Sequence, residues 1–169
     1  MILADVPGMP GNRLQYLLPN DWVLIQAKAQ RRTFTLGEEI IRQGDWGNNI
    51  YIIRRGEATV ELAGTGSRAI VARLGAEDVC GEIGFLEQCK ASAAVVASEE
   101  EVEVDEISAH ELRKILEAFP GLASRFYRSL ALVVAQRLKT TSRELAREMG
   151  LRDRREATLL TASPQGEGR

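Results

Sequence analysis

Between Thr33 and Ile107 the sequence consists of short β-type segments separated by glycine-containing turns, and this alternation constrains the fold more than any other feature. Segments rich in Val, Ile, Thr and Phe favour strands, whereas Gly and Asp between them favour tight turns. The segments 58–62 and 68–74 flank Gly-Thr-Gly-Ser at 64–67, which predicts a β-hairpin. Short strands at this spacing predict a β-roll, a barrel or a sandwich.

Helical patterns precede the β region. Leu14, Leu17 and Leu18 indicate a short helix that stops before Pro19. Asn20 is a candidate N-cap for a further helix, in which the run 22–25 is apolar.

Helical patterns also follow the β region. Ser108 and Glu111 have the spacing of a capping box, which predicts a helix that ends before Pro120. A second, longer helix is predicted from about Pro120 to Gly150. Its apolar positions include Leu122, Phe126, Leu130, Val133, Val134, Leu138, Leu145 and Met149. The predicted class is therefore α+β, mainly β.

The apolar stripe of the long helix extends further than a small β domain needs. Its far half, around Leu138, Leu145 and Met149, has the pattern of a helix–helix seam and predicts a homodimer. The alternative is that the stripe packs only on its own domain. We predict an N-terminal arm at 1–16, one domain at 17–149 and a disordered tail at 150–169.

Composition limits the function classes. The 169 residues carry a net charge of -2, which gives no support for nucleic-acid binding. Cys80 and Cys89 do not make a disulfide framework, and the start of the chain lacks the pattern of a secretion signal, so the predicted location is the cytoplasm. Leu130 to Ala135, the longest apolar run, is too short to cross a bilayer.

The stretch from Gly81 to Ala97 carries the most chemical information. Gly81-Glu82-Ile83-Gly84 could begin a short helix, and its small residues would let an anion approach unpaired amide hydrogens. A tight glycine turn that binds nothing explains the same residues equally well. The run 93–97 predicts a buried strand.

The order of these segments resembles the cyclic-nucleotide-binding domain family, and in detail the ligand domains of bacterial catabolite activators. The resemblance covers about Leu17 to Leu145. It rests on Gly-Glu-Ile-Gly at 81–84, Asp-Glu-Ile-Ser at 105–108 and Arg-Leu-Lys-Thr-Thr-Ser at 137–142. It implies an eight-stranded double-stranded β-helix, a jelly-roll-like β-roll, with N-terminal helices, an internal cassette helix and a long C-terminal helix that dimerises.

The resemblance also implies a ligand, cyclic AMP or cyclic GMP, and residues that contact it. Glu82, beside Gly81, matches the glutamate that accepts the ribose 2′-hydroxyl, as an acceptor-only carboxylate can. Backbone amides near Ile83 and Gly84 match those that face the phosphate. The adjacent hydroxyls of Thr141 and Ser142 match the positions that touch adenine; in the absence of the resemblance they are a tolerated polar pair in a helix seam.

One departure from the family pattern concerns the phosphate. The family cassette has an arginine where this chain has Ala91, or Ser92 if the gap is placed differently, followed by Ala93. That arginine is expected to grip the phosphate with two hydrogen bonds. Lys90 is one residue away, but a shift of one residue beside a strand points a side chain elsewhere.

Two main hypotheses follow: a regulatory sensor for a cyclic nucleotide, cyclic AMP first, that acts by ligand-coupled helix movement, or a degenerate domain of this fold used for dimerisation or interaction. A third keeps the sensor role with another anion or an uncharged small molecule as ligand. The predicted output is an unidentified partner protein. Too few residues follow Leu145 for the DNA-binding half of a catabolite activator, so neither DNA nor membrane is a predicted partner.

An enzyme is disfavoured, because His110 is predicted to be a surface residue and Cys80 a small buried one, with no evident catalytic base or metal-ligand cluster. The acidic residues at 99–101, 103, 105 and 106 are predicted to form a solvated strand face.

Overall fold

The computed structural model describes residues 13–63 and 68–161. It divides into two compact units, one up to Val134 and one from Ala135 onwards. No helix in the described ranges has the length and apolar character to cross a membrane.

Eight strands form two antiparallel sheets of four strands each within these ranges, which confirms the predicted β-roll. One sheet has the order β1-β8-β3-β6 and the other β2-β7-β4-β5. The predicted hairpin is confirmed by the antiparallel pairing of β4 with β5, although its turn at 64–67 lies outside the described residues. The strands are β1 Gln30–Phe34, β2 Glu39–Ile41, β3 Asn49–Arg55, β4 Ala58–Ala63, β5 Arg68–Leu74, β6 Val79–Cys80, β7 Ala94–Ala97 and β8 Val102–Ser108.

Four helices accompany the sheets: α1 Pro19–Gln26, α2 Glu82–Glu87, α3 Ala109–Ala118 and α4 Pro120–Thr161. The hydroxyl of Ser108 accepts a hydrogen bond from the amide of Glu111 at 3.1 Å, which confirms the predicted N-cap of α3.

The predicted helix around Leu14 is wrong, because the described residues before Pro19 form turns. The predicted N-cap Asn20 is also wrong. Pro19 is the first residue of α1, where its missing N–H costs nothing, and the Asp21 carboxylate accepts the Leu18 amide at 2.8 Å. Leu14 is itself buried in the core.

The predicted end of the long helix at Gly150 is wrong too, since α4 continues to Thr161. A glycine in a helix costs only about 1 kcal/mol relative to alanine, and the following Leu151, Arg152 and Arg154 are good helix formers. Residues 162–169, within the tail predicted to be disordered, lie outside the described residues.

Two apolar clusters make up the core of the first unit. One lies between the two sheets and includes Phe34, Ile53 and Val104. The other packs the helices against the β1-β8-β3-β6 sheet, with Ile50 and Phe126 among its members. Alternating residues of strands β3 and β8 face different neighbours, which is why both clusters draw on the same strands.

An ion pair joins α1 to α4 within the first unit. Arg125 donates two hydrogen bonds to the Asp21 carboxylate, at 2.7 and 2.6 Å, and Asp21 is 4% exposed. The hydrogen bonds from Arg125 hold the pKa of Asp21 below its ordinary value, against the effect of burial.

The prediction of a solvated acidic face holds for Glu99, Glu100 and Glu101 but is wrong for Asp105. Asp105 is buried on β8, where Arg31 of β1 and Arg54 of β3 both donate to its carboxylate. Its pKa is raised by burial and lowered more by these two arginines together, so that it lies below the ordinary value.

Candidate nucleotide site

The turn at Gly81 connects β6 directly to α2. Gly81 has φ +84°, a left-handed conformation that side chains disfavour, and a Cβ there would lie 2.5 Å from the carbonyl oxygen of Asn49. Glu82, the first residue of α2, is only 2% exposed. The sequence therefore places a carboxylate inside the first unit because a glycine allows the chain to turn against β3.

A contact between two glycines, Gly84 of α2 and Gly47 before β3, also holds α2 in place. A Cβ on Gly84 would lie 2.6 Å from the Cα of Gly47, so the two backbones are in contact. The amide of Gly47 also donates to the carbonyl of Cys89 at 3.1 Å. Gly47 was not predicted as a site residue, although its position in a turn-rich segment signals a special backbone role.

The connection from α2 to β7 is fixed by backbone hydrogen bonds. The Ala91 amide donates to the Asp45 carbonyl at 2.7 Å, and the Gly44 amide donates to the Ala91 carbonyl at 2.9 Å. Lys90 pairs with Trp46 in an isolated β-bridge and is exposed. Within this connection Ser92 is exposed and Ala93 is half-buried. The run from Ala94 to Ala97 is buried throughout, as predicted.

Phe85 links α2 to two later helices. Its ring meets Phe126 edge-on, with 5.8 Å between centroids, and stacks with Tyr127 at 6.5 Å. Arg113 of α3 lies over the same ring and donates to the Phe85 carbonyl at 3.0 Å. The sequence did not predict these contacts, because spacing identifies apolar positions such as Phe126 but not which helices they join.

Thr141 and Ser142 belong to the second unit. Both are exposed residues of α4. Their assignment to the purine stays a prediction, as do the assignments of Glu82, Ile83 and the cassette glycines to ribose and phosphate.

Cys89 lies in the connection between α2 and β7 and is half-buried. Burial raises the pKa of the Cys89 thiol, and the neighbouring Glu87 carboxylate raises it further, so the reactive thiolate is disfavoured. Cys80 is buried and His110 exposed, as predicted. No group of three or more His, Cys, Asp or Glu side chains suited to a metal occurs in the part of the chain that the structure describes.

Comparison with known proteins identifies the class. The model of the cyclic nucleotide-binding domain matches residues 31–119, which is more than half of the chain. The chain therefore belongs to the cyclic nucleotide-binding domain family.

Individual relatives show both the likeness and its limits. The chain is 30% identical over 132 residues to the cyclic AMP receptor protein of Thermus thermophilus, a match that covers 76% of this chain and 58% of that protein. It is 29% identical over 135 residues to cyclic GMP-binding protein C of Dictyostelium discoideum, covering 75% of this chain and 5% of that one. The crystal structure of the Thermus thermophilus catabolite activator protein superposes with a TM-score of 0.65 at 27% identity, covering 77% of this chain and 59% of that chain. The chain thus spans little more than half the length of the Thermus protein and a small part of the Dictyostelium one.

Proposed function

We propose that this chain is a regulatory domain that binds a cyclic nucleotide, with cyclic AMP preferred over cyclic GMP. The observation that carries the proposal is the burial of Glu82 at the start of α2, directly after the left-handed Gly81. A buried carboxylate that can only accept suits a sugar hydroxyl, which can donate to it. The preference for adenine rests on the hydroxyls of Thr141 and Ser142. A hydroxyl can both donate and accept a hydrogen bond, so it can pair with the polar edge of a purine.

Affinity is expected to be weak because position 91 carries no charge. A family arginine there would form a buried charge pair with the phosphate, and losing one member of such a pair costs roughly 2–5 kcal/mol. A loss of about 3 kcal/mol corresponds to roughly a hundredfold weaker binding. Lys90, whose backbone is tied to Trp46, is an exposed point charge beside this position.

A ligand in the cassette would act through the Phe85 contacts. Movement of α2 changes the packing of Phe85 on Phe126 and Tyr127, and it changes the hydrogen bond from Arg113. Occupancy would bias α3 and the beginning of α4 only if the ligand binds one arrangement better than the other. We therefore propose signal transfer by helix movement rather than catalysis.

The second candidate function is a degenerate domain that binds no nucleotide and serves as a dimerisation or interaction module. Ala91 favours it, and so do the hydrogen bonds that engage the Ala91 amide and carbonyl with Asp45 and Gly44. Of these two groups only the Ala91 amide could donate to a phosphate, and it already donates to Asp45.

Both candidates include a homodimer through the second unit, acting on a separate output protein in the cytoplasm. Leu138, Leu145 and Met149 are exposed by 67%, 57% and 59% on α4, at spacings that suit a helix–helix seam. Neither candidate requires DNA or a membrane.

Calorimetric titration of cyclic AMP and cyclic GMP into the wild-type chain and into Ala91→Arg separates the two functions. A sensor binds cyclic AMP weakly, and Ala91→Arg tightens binding by roughly a hundredfold. Ser92→Arg tests the other possible placement of the family arginine, so a comparable gain in either variant supports the sensor. Absence of binding at millimolar nucleotide in the wild type, Ala91→Arg and Ser92→Arg would reject the sensor and leave the interaction module.

A further inference from the structure

Two residues of strand β3 pack directly against the Gly81 turn. A Cβ on Gly81 would lie 2.5 Å from the carbonyl oxygen of Asn49 and 3.5 Å from the ring atom Cδ2 of Tyr51. Tyr51 is also the strand partner of Cys80, the residue before Gly81. The position of the turn therefore depends on where these two residues of β3 are held.

One carboxylate, that of Glu106 on β8, holds both residues. The side-chain amide of Asn49 donates to Glu106 Oε1, and the Tyr51 hydroxyl donates to the same oxygen at 3.3 Å. Burial raises the pKa of Tyr51, so its hydroxyl stays protonated and can donate. The second oxygen, Oε2, accepts from Arg32 Nη1 at 3.1 Å. The Glu106 side chain is only 15% exposed, so its removal would take the acceptor from two donors of β3.

The turn in its place determines where the Glu82 carboxylate lies. Gly81 has φ +84° and no side chain, so its neighbours rather than its own sterics restrict its backbone. Glu82 follows it directly and is 2% exposed. A hydrogen bond between two oxygens needs a separation of about 2.5–3.0 Å, so a displacement of the carboxylate by about 1 Å is enough to lose it.

We propose that Glu106 is a positioning residue for the ribose. Through Asn49 and Tyr51 it fixes the Gly81 turn, and it thereby holds the Glu82 carboxylate where the ribose 2′-hydroxyl can donate to it. The proposal rests on the nucleotide binding proposed above. It adds that the contribution of the 2′-hydroxyl to affinity depends on a residue of β8 that does not touch the ligand.

Calorimetric titration with cyclic AMP and with 2′-deoxy cyclic AMP tests the proposal, because the ratio of the two dissociation constants isolates the 2′-hydroxyl. The parent chain is the wild type or the arginine variant that binds cyclic AMP most tightly. The parent should favour cyclic AMP at least about tenfold, since the deoxy compound lacks a hydrogen bond to a carboxylate. Glu106→Ala should lower the ratio to below about threefold. A variant that only destabilised the fold would weaken both nucleotides equally and leave the ratio unchanged.

Three further variants separate the contacts of Glu106. Asn49→Ala removes the side chain between Glu106 and the turn, so it should lower the ratio as Glu106→Ala does. Glu106→Gln gives up the ion pair with Arg32 but keeps an oxygen that accepts from Asn49 and Tyr51, so the ratio should stay that of the parent. Glu103→Ala is the matched control, because it removes another β8 carboxylate that is paired with an arginine of β1, and the ratio should again stay unchanged.

The outcomes distinguish this proposal from nucleotide binding itself. If the parent favours cyclic AMP and the two alanine variants at Glu106 and Asn49, folded by circular dichroism, keep its ratio, the positioning role is refuted and nucleotide binding stands. The role is also refuted if Glu106→Gln or Glu103→Ala lowers the ratio as much as Glu106→Ala. A parent that binds neither nucleotide rejects nucleotide binding, and one that binds both equally rejects the ribose contact of Glu82; either result overturns the positioning role as well.

Discussion

The contact between Gly84 and Gly47 makes a quantitative prediction about Gly84→Ala. The added Cβ would lie 2.6 Å from the Cα of Gly47, whereas two carbon atoms normally pack at about 3.5–4.0 Å. The backbone at Gly47 must therefore move by about 1 Å. No flexible side chain can absorb this movement, because the opposing atoms belong to the main chain.

The expected cost follows from three contributions. Overpacking of this kind costs about 2 kcal/mol, and strain on the hydrogen bond from Gly47 to Cys89 adds about 1 kcal/mol. Alanine in place of glycine in a helix returns about 1 kcal/mol. Gly84→Ala should therefore lower the free energy of unfolding by about 2 kcal/mol.

Urea unfolding followed by far-UV circular dichroism and by the fluorescence of Trp46, next to Gly47, measures this change. Gly121→Ala is the matched control, because its Cβ would meet only Arg125 Nη1 at 3.5 Å, an ordinary contact in another helix. That variant should be unchanged or stabilised by up to about 1 kcal/mol. If Gly84→Ala stabilises the protein as much as Gly121→Ala does, the two backbones are not in contact and the reasoning is refuted.

Three further predictions follow from contacts and surfaces described above. Arg125→Ala should lower the free energy of unfolding by about 3 kcal/mol in urea titrations at pH 7, because it leaves the buried Asp21 carboxylate unpaired; a loss below about 1 kcal/mol would contradict this. Because the folded-state pKa of Asp21 lies below its ordinary value of 3.8, the stabilisation by this pair is present above about pH 3.8 and is lost as the pH falls through the lower folded value. Melting temperatures measured between pH 5 and pH 2 should therefore fall more steeply for the wild type than for Arg125→Ala, and parallel curves would argue against the linkage. Leu145→Lys should convert the proposed homodimer to a monomer in sedimentation velocity experiments, whereas Arg147→Lys should not; a monomeric wild type would rule out the seam.

The β region was predictable because its signals are local. Turn glycines and alternating apolar residues identify short strands, and the sequence 58–74 forms a hairpin whose partners are neighbours in the chain. The pairing of β1 with β8 is different, since no local pattern connects Gln30 with Glu106. That pairing was not predicted, because the family resemblance implied only an eight-stranded β-roll.

Helix ends and buried charges were harder to predict. Gly150 was predicted to end the long helix, but a single glycine lowers helix stability only slightly when good helix formers follow it. Asp105 looked solvated because it stands in an acidic run, and only the fold brings Arg31 and Arg54 to it from two other strands.

The candidate site was predictable where the backbone geometry requires a glycine, because a glycine can be read directly from the sequence. Gly81 and Gly84 are required by a left-handed turn and by a close backbone approach, respectively. The partners Asn49 and Gly47 were missed, because a glycine shows that something comes close without showing what. The links from Phe85 to α3 and α4 were missed for the same reason.

The order β1-β8-β3-β6 has a consequence for synthesis on the ribosome. The central strand β8 lies between β1 and β3 and is the last of the eight to be made, so this sheet cannot close until residue 108 has emerged. Until then β1 and β3 have open edges, which is the condition under which nascent chains aggregate. The β4–β5 hairpin, whose contacts are local, can form much earlier. Arg31 and Arg54 stay without their shared carboxylate until Asp105 arrives, and charged side chains on an open strand disfavour pairing with another chain.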